Sequence, residues 1–152
     1  MVNIVRTDAS NNDFIYLVKQ LNEYLKVVDG EDHGFYNQYN NIDVIKHVVV
    51  AYNNGKAVGC GSFKNFDKQT VEIKRMFTLP ESRGQQVATQ ILGALELWTK
   101  ELGYSHCILE TGKRQVEAVS FYNKNKYQII PNFGPYKGIS NSICFKKELS
   151  GV

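Results

Sequence analysis

Residues Arg75 to Ile91 read R-M-F-T-L-P-E-S-R-G-Q-Q-V-A-T-Q-I, and this stretch decides how the rest of the chain folds. It joins a β-type run, Thr70-Val71-Glu72-Ile73-Lys74-Arg75-Met76-Phe77-Thr78, to an amphipathic helix in which Val87, Ile91, Leu92, Leu95, Trp98 and Leu102 recur on one face. Pro80 blocks further strand pairing and Gly103 ends the helix. The junction between them is the turn Arg83-Gly84-Gln85-Gln86-Val87-Ala88. A helix start carries backbone N–H groups with no partner inside the helix, together with the positive end of the helix dipole, so the junction predicts an anion site.

Upstream of that strand, Val48-Val49-Val50-Ala51-Tyr52, the turn Asn53-Asn54-Gly55 and Ala57 to Phe63 predict a β-hairpin. A second turn, Asn65 to Gln69, leads into the strand at Thr70 and makes a three-stranded meander. Before the meander come a short strand, Val2 to Arg6, and a helix over Asn11 to Lys26 with Phe14, Leu17, Val18, Leu21 and Leu25 at helical spacing. Ser10 followed by Asp13 resembles a capping box for that helix. The segment Asp29 to Asn40 is polar and aromatic, with room for a short second helix of weak periodicity. Downstream, Ser105 to Glu110 reads as a strand, Gln115 to Asn125 as a helix and Tyr127 to Ile130 as a strand. A Gly- and Pro-rich loop, Pro131 to Gly138, precedes a last strand, Ser142 to Lys147, a candidate sheet edge. With no internal repeat and no linker, this order predicts one α/β (α+β) domain over residues 1–152, a mixed sheet with helices on its faces.

The 152 residues suffice for one core without staples, and 43% hydrophobic with 22% charged residues is a globular composition. A formal charge of +3, with scattered lysines, falls short of a nucleic-acid-binding surface. Neither a signal peptide nor a membrane-spanning run is visible, which predicts a cytoplasmic protein with no membrane partner. Cys60, Cys107 and Cys144 are odd in number and lie in apolar surroundings, as suits buried reduced thiols. His33, His47 and His106 lack metal-ligand spacing, so no metal is expected.

Arg83 offers a guanidinium, Gly84 permits close backbone approach, and Gln85, Gln86, Val87 and Ala88 offer amides, a set suited to a pyrophosphate. The alternative is a plain strand-to-helix turn with an exposed arginine. Over its whole length, however, the chain resembles the GNAT superfamily of N-acetyltransferases, whose acetyl-CoA signature runs Arg or Gln, two variable residues, Gly, one variable residue, then Gly or Ala. Arg83 fills the first position and Ala88 the last, while Gln86 replaces the central Gly. An ordinary right-handed helix-entry conformation at Gln86 would still present its amide. A second matching segment, Glu117-Ala118-Val119-Ser120-Phe121-Tyr122-Asn123-Lys124-Asn125-Lys126-Tyr127, resembles the family's A-x-x-x-Y pattern, with Lys126 where Gly is usual.

The resemblance implies a GNAT fold: a mixed, mostly antiparallel central sheet of about six to seven strands flanked by about four helices. It implies acetyl-CoA as co-substrate, held by the backbone of Met76, Phe77 and Thr78 and by Arg83, Gly84, Gln85, Gln86, Val87, Ala88 and Thr89. Tyr122 then stands where the family's tyrosine protonates the departing thiolate, the alternative being packing on the sheet. Glu72 is the first candidate base, with a salt-bridged strand residue as the equal alternative; Glu110 is the reserve, with a turn role equally open. An oxyanion donor is expected from a backbone amide near Phe77 or Thr78, at a strand bulge.

The acceptor site implied by the family falls on Asp29 to Asn40 and Pro131 to Asn141. There Asp29, Glu31 and Asp32 could attract an amine, His33, Tyr36 and Tyr39 could frame it, and Tyr136 and Asn132 could close the other side; a solvated acidic loop is the alternative. The leading expectation is an acyltransferase that moves an acetyl group directly to a primary amine of a small molecule or peptide. A CoA-binding or metabolite-sensing module without turnover is the second, and a nucleotide-phosphate binder the third. Monomer and homodimer both remain open.

Overall fold

A computed structural model of the chain describes residues 2–29 and 45–149. The all-apolar run of β2 (His47–Asn53) shows how the layers form. Val48 and Val50 pack against Phe14, Leu17, Val18 and Leu21 of α1 (Asn12–Asp29), whereas Val49 and Ala51 pack against Ile91, Leu92 and Leu95 of α2 (Val87–Glu101). A strand covered on both faces loses the usual alternation of polar and apolar residues, and every residue from Val48 to Ala51 is fully buried. Burial of this kind contributes about 1.5–3 kcal/mol for each large aliphatic side chain.

The single sheet continues through β1 (Val2–Thr7), β3 (Lys56–Asn65), β4 (Thr70–Thr78), β5 (His106–Gly112), β6 (Gln128–Ile130) and β7 (Ser142–Glu148). Its seven strands lie in the order β1-β2-β3-β4-β5-β7-β6. The β4–β5 pair is parallel and the rest are antiparallel. The third helix, α3 (Val116–Lys124), sets Ala118, Val119, Phe121 and Tyr122 onto the same cluster as α2. Thus α1 covers one face, and α2 and α3 the other. The described residues hold three α-helices; the short helix expected after Asp29 lies outside them. None of the three is long and apolar enough to cross a membrane.

Two expectations are corrected. Asn11, not Ser10, caps α1: its Oδ1 accepts the Phe14 N–H at 2.9 Å, while Ser10 turns back and donates to Asp8 at 2.5 Å. Asp13, the supposed second half of the box, instead accepts from the Tyr52 hydroxyl at 2.6 Å. The final strand is not an edge either, because β6 folds back on it and places β7 between β5 and β6. The thiols of Cys60, Cys107 and Cys144 are free and buried.

Close approach between α2 and β3 requires small residues. A Cβ at Gly61 would stand 2.6 Å from Met76 Sδ and 2.8 Å from both Ile91 and Leu95, so glycine here lets the helix settle and Met76 lie over the strand.

Candidate active site

Parallel pairing between β4 and β5 covers only Thr70↔His106, Val71↔Cys107 and Glu72↔Ile108. Beyond Glu72 the strands splay, and from Ile73 to Thr78 the β5-facing edge of β4 has no strand partner among the described residues. Two cavities occupy this gap. A cleft of about 480 Å³ runs from Met76, Phe77 and Thr78 to the head of α2, walled by Ala118, Phe121 and Tyr122 of α3. A pocket of about 120 Å³ lies deeper, among Glu72, Lys74, Arg75, Glu110 and Tyr136. Met76, Gln115, Ala118, Tyr122 and Leu21 line both, so the cavities adjoin there.

At the outer end, Arg83, Gly84, Gln86, Val87, Ala88 and Thr89 line the cleft; Gln85 is exposed in the same turn without lining it. The first helical bond runs from Gln90 N–H to the Gln86 carbonyl at 3.1 Å, so the amides of Val87, Ala88 and Thr89 precede the helix ladder. Arg83 is steered by its own neighbours. Its Nε donates to the Thr78 carbonyl at 3.1 Å, and the guanidinium carbon lies 5.5 Å from the Tyr24 ring centre and 5.9 Å from that of Phe77, within cation–π range.

The conformation expected at Gln86 is corrected: φ is 63° and ψ 20°, left-handed rather than right-handed. This geometry explains why the family pattern has glycine at this place, since a Cβ in that region costs roughly 1–2 kcal/mol. Lys126, the other departure from the pattern, also holds a positive φ, 73°.

The bulge also lies earlier than expected. Ser62 pairs with Lys74 and Cys60 with Phe77, so two steps on β3 oppose three on β4, and the extra residue falls at Arg75–Met76, not at Phe77 or Thr78. Arg75 has φ 61°. Two side chains of β3 clasp the carbonyls of this distorted stretch: Ser62 Oγ donates to Lys74 O at 2.6 Å and Cys60 Sγ to Arg75 O at 3.3 Å. Burial holds the Cys60 thiol up at about 12, so it is a protonated donor here.

The inner pocket is lined by charged side chains, of which Glu72, Lys74 and Arg75 are nearly buried. Glu72 lies 3.8 Å from Lys74 Nζ and 3.9 Å from Lys64 Nζ. Glu110 accepts from the Ser142 hydroxyl at 2.7 Å. Burial pushes the Lys74 ammonium below its ordinary value, an effect that Glu72 opposes, and holds Arg75 down at about 10. Tyr136 is buried beside Cys144, Ile130, Phe133 and Ile139. Asn132 does not reach the pocket; its Nδ2 staples the loop by donating to the Tyr136 and Ile139 carbonyls, 3.1 Å each. His33, Tyr36, Glu31, Asp32 and Tyr39 lie outside the described residues.

Tyr122 stands where the two cavities meet. Its ring packs against Phe121, Tyr127 and Phe145 at centroid distances of 5.1, 5.7 and 5.9 Å. Burial raises its phenol above the ordinary range, so it is protonated at neutral pH. Sequence reasoning missed Tyr24 and Leu21 of α1 and Gln115 and Phe121 beside Tyr122 as walls of the cleft. Gln115, at the start of a helix that follows a strand end, carried a signal; Tyr24, seven residues after Leu17, borders the apolar face of α1, where its spacing reads as packing and not as a site. No group of three or more His, Cys, Asp or Glu that could hold a metal occurs among the described residues.

Comparison with known proteins agrees with this architecture. The model of the acetyltransferase (GNAT) family matches residues 14–127. An IAA acetyltransferase of Azospirillum brasilense is 28% identical over 150 residues, spanning 97% of this chain and 98% of the relative. A Klebsiella pneumoniae protein provisionally assigned as an acyl-CoA N-acyltransferase superposes with a TM-score of 0.83 at 27% identity, covering 99% of each chain. The PaiA N-acetyltransferase of Thermoplasma acidophilum, solved in complex with coenzyme A, shares the fold with a TM-score of 0.71 at 17% identity, over 97% of this chain and 99% of that one. With a family match across most of its length and a splayed β4–β5 gap of this construction, the chain is an acyltransferase that belongs to the acetyltransferase (GNAT) family.

Proposed function

We propose that this chain is an acetyl-CoA-dependent N-acetyltransferase, one catalytic domain that passes the acetyl group directly to a primary amine of a small molecule or peptide. The observation that carries the reading is the splayed gap itself: its two adjoining cavities run from the turn at the start of α2 to Tyr122 and on to a pocket of ionisable side chains. The name of the Azospirillum relative, an acetyltransferase, and the coenzyme A in the Thermoplasma neighbour support it.

Bound acetyl-CoA supplies an activated thioester. The amides of Val87, Ala88 and Thr89 with the Arg83 guanidinium hold its pyrophosphate. The edge of β4 at Met76, Phe77 and Thr78 offers backbone groups to an extended, amide-bearing arm, as an open sheet edge accepts an added strand. The amine enters the inner pocket and gives its proton to Glu72, 3.8 Å from Lys74. A backbone amide of the Arg75–Met76 bulge donates to the acetyl oxygen as charge develops there. A new C–N bond replaces the C–S bond, Tyr122 gives its proton to the sulfur, and the second proton that the nitrogen sheds on becoming an amide restores the phenol through water in the cleft. Desolvation raises the phenol, which widens the ordinary gap between about 10 and the thiol's about 8.5, and it raises the departing thiol in the same cleft too, which offsets that widening.

Calorimetric titration with acetyl-CoA, followed by a thiol-release assay over an amine panel, tests the reading. Binding together with amine-dependent release is expected; absence of binding at millimolar acetyl-CoA sinks it.

A further inference from the structure

The inner pocket holds more cationic side chain than an amine alone calls for. Among the described residues Lys74 and Arg75 line it together with Glu72 and Glu110, and Lys64 adds a third cation on Glu72. Both cations are nearly buried, with 9% and 6% of their surface exposed. In a plain strand, neighbours 74 and 75 would point to opposite faces, and Arg75 would enter the apolar layer with Val71 and Ile73. The bulge prevents this: with φ at 61°, Arg75 joins Lys74 in lining the pocket, which Tyr136 lines too. A left-handed conformation is costly for any residue with a Cβ, and strain of this kind gathers at functional sites.

On the reading of this gap as an N-acetyltransferase site, we propose that the acceptor carries a carboxylate close to its amine, and that Arg75, assisted by Lys74, binds that carboxylate beside Tyr136. Guanidinium is the side chain best suited to a planar carboxylate, through two parallel N–H bonds. With the carboxylate on the cations, the amine is directed toward the side of the pocket lined by Glu72, Met76 and Tyr122. An acceptor bearing only an ammonium would engage the carboxylates Glu72 and Glu110 and bring no group for the guanidinium of Arg75 to recognise. The small pocket, about 120 Å³, suits a compact amine-and-carboxylate head group, with any larger side chain extending outward.

The test compares chain-matched acceptors by thiol release from acetyl-CoA: L-leucine against isopentylamine, L-phenylalanine against phenethylamine, and β-alanine against ethylamine. Rates are expressed per concentration of unprotonated amine, so that the lower basicity of amino acids does not masquerade as recognition. The carboxylate-bearing member of at least one pair is expected to show kcat/KM roughly ten- to a hundredfold higher, the factor one charge-assisted hydrogen bond supports. Arg75→Gln brings that ratio toward one, and Lys74→Gln lowers it by a smaller factor. Equal or faster turnover of the plain amines by the native protein overturns the carboxylate proposal and upholds N-acetyl transfer. So does a ratio that Arg75→Gln leaves unchanged. Acetyl-CoA binding without release by any amine strikes at the underlying reading instead.

Discussion

Arg83 donates its Nε–H to the carbonyl of Thr78 at 3.1 Å, so the turn heading α2 is pinned to the last residue of β4. The two surfaces proposed to hold acetyl-CoA, the helix-start cradle and the open strand edge, are thereby fixed relative to each other before any ligand binds. Prior ordering of this kind lowers the entropy cost of binding.

Arg83→Ala removes both the pin and the cation, and acetyl-CoA affinity is expected to fall roughly ten- to a hundredfold, as for loss of a charge-assisted hydrogen bond. Gln86→Gly should act in the opposite sense, because glycine holds a φ of 63° without strain and lets the ligand approach the backbone. Calorimetric titration of the two variants with acetyl-CoA checks both directions.

Tyr122→Phe keeps the ring packing and removes the proton donor, so kcat should drop by about 10²- to 10⁴-fold with acetyl-CoA affinity little changed. The pH dependence follows from the sign of the shift. An acid whose value is raised above its ordinary 10 stays protonated to higher pH, so it remains a competent donor across the neutral and mildly alkaline range. The kcat profile from pH 7 to about 10 should therefore show no alkaline fall traceable to the phenol, and a fall centred below pH 10 that vanishes in Tyr122→Phe would contradict the upward shift.

The two carboxylates of the inner pocket should separate kinetically. Glu72→Gln is expected to lower kcat/KM for the amine by about a hundredfold or more, as for loss of a general base, whereas Glu110→Gln, whose partner is the Ser142 hydroxyl, should cost much less. Both variants should retain acetyl-CoA binding, since neither residue lines the outer cleft. Initial rates at saturating acetyl-CoA distinguish them.

Lys126 is exposed, follows α3 and holds φ at 73°, so Lys126→Gly relieves strain without touching either cavity. A gain of about 1 kcal/mol is expected, or roughly 2–4 °C in Tm for a chain of this size. Thermal unfolding of the variant beside the native protein measures it, with activity as the control.

Much of this arrangement was legible in the chain because local chemistry and tertiary structure agree. The strand Thr70–Thr78 and the start of α2 at Val87 lie where alternation, Pro80 and helical spacing put them. The departures have physical causes. Periodicity gives a strand's existence but not its neighbours, so nothing in Ser142 to Lys147 told that β6 would fold back and cover it. A bulge is a mismatch between two strands, so neither Arg75 nor Met76 could announce it alone. Ser10 and Asn11 are adjacent and both are good capping types, so the reading fell on Ser10 while Asn11 takes the Phe14 N–H and Asp13 is occupied by Tyr52. The cap choice and the left-handed Gln86 rest on dihedral angles that composition does not encode.

The central claim is amine-dependent transfer, and the most direct measurement joins thiol release to product mass in one reaction. With acetyl-CoA and a reactive primary amine present, the protein should release one thiol for each amine molecule that gains an acetyl group, and release should stop when the amine is omitted. Bound acetyl-CoA with no release dependent on any primary amine, and no acetylated product, would contradict the account.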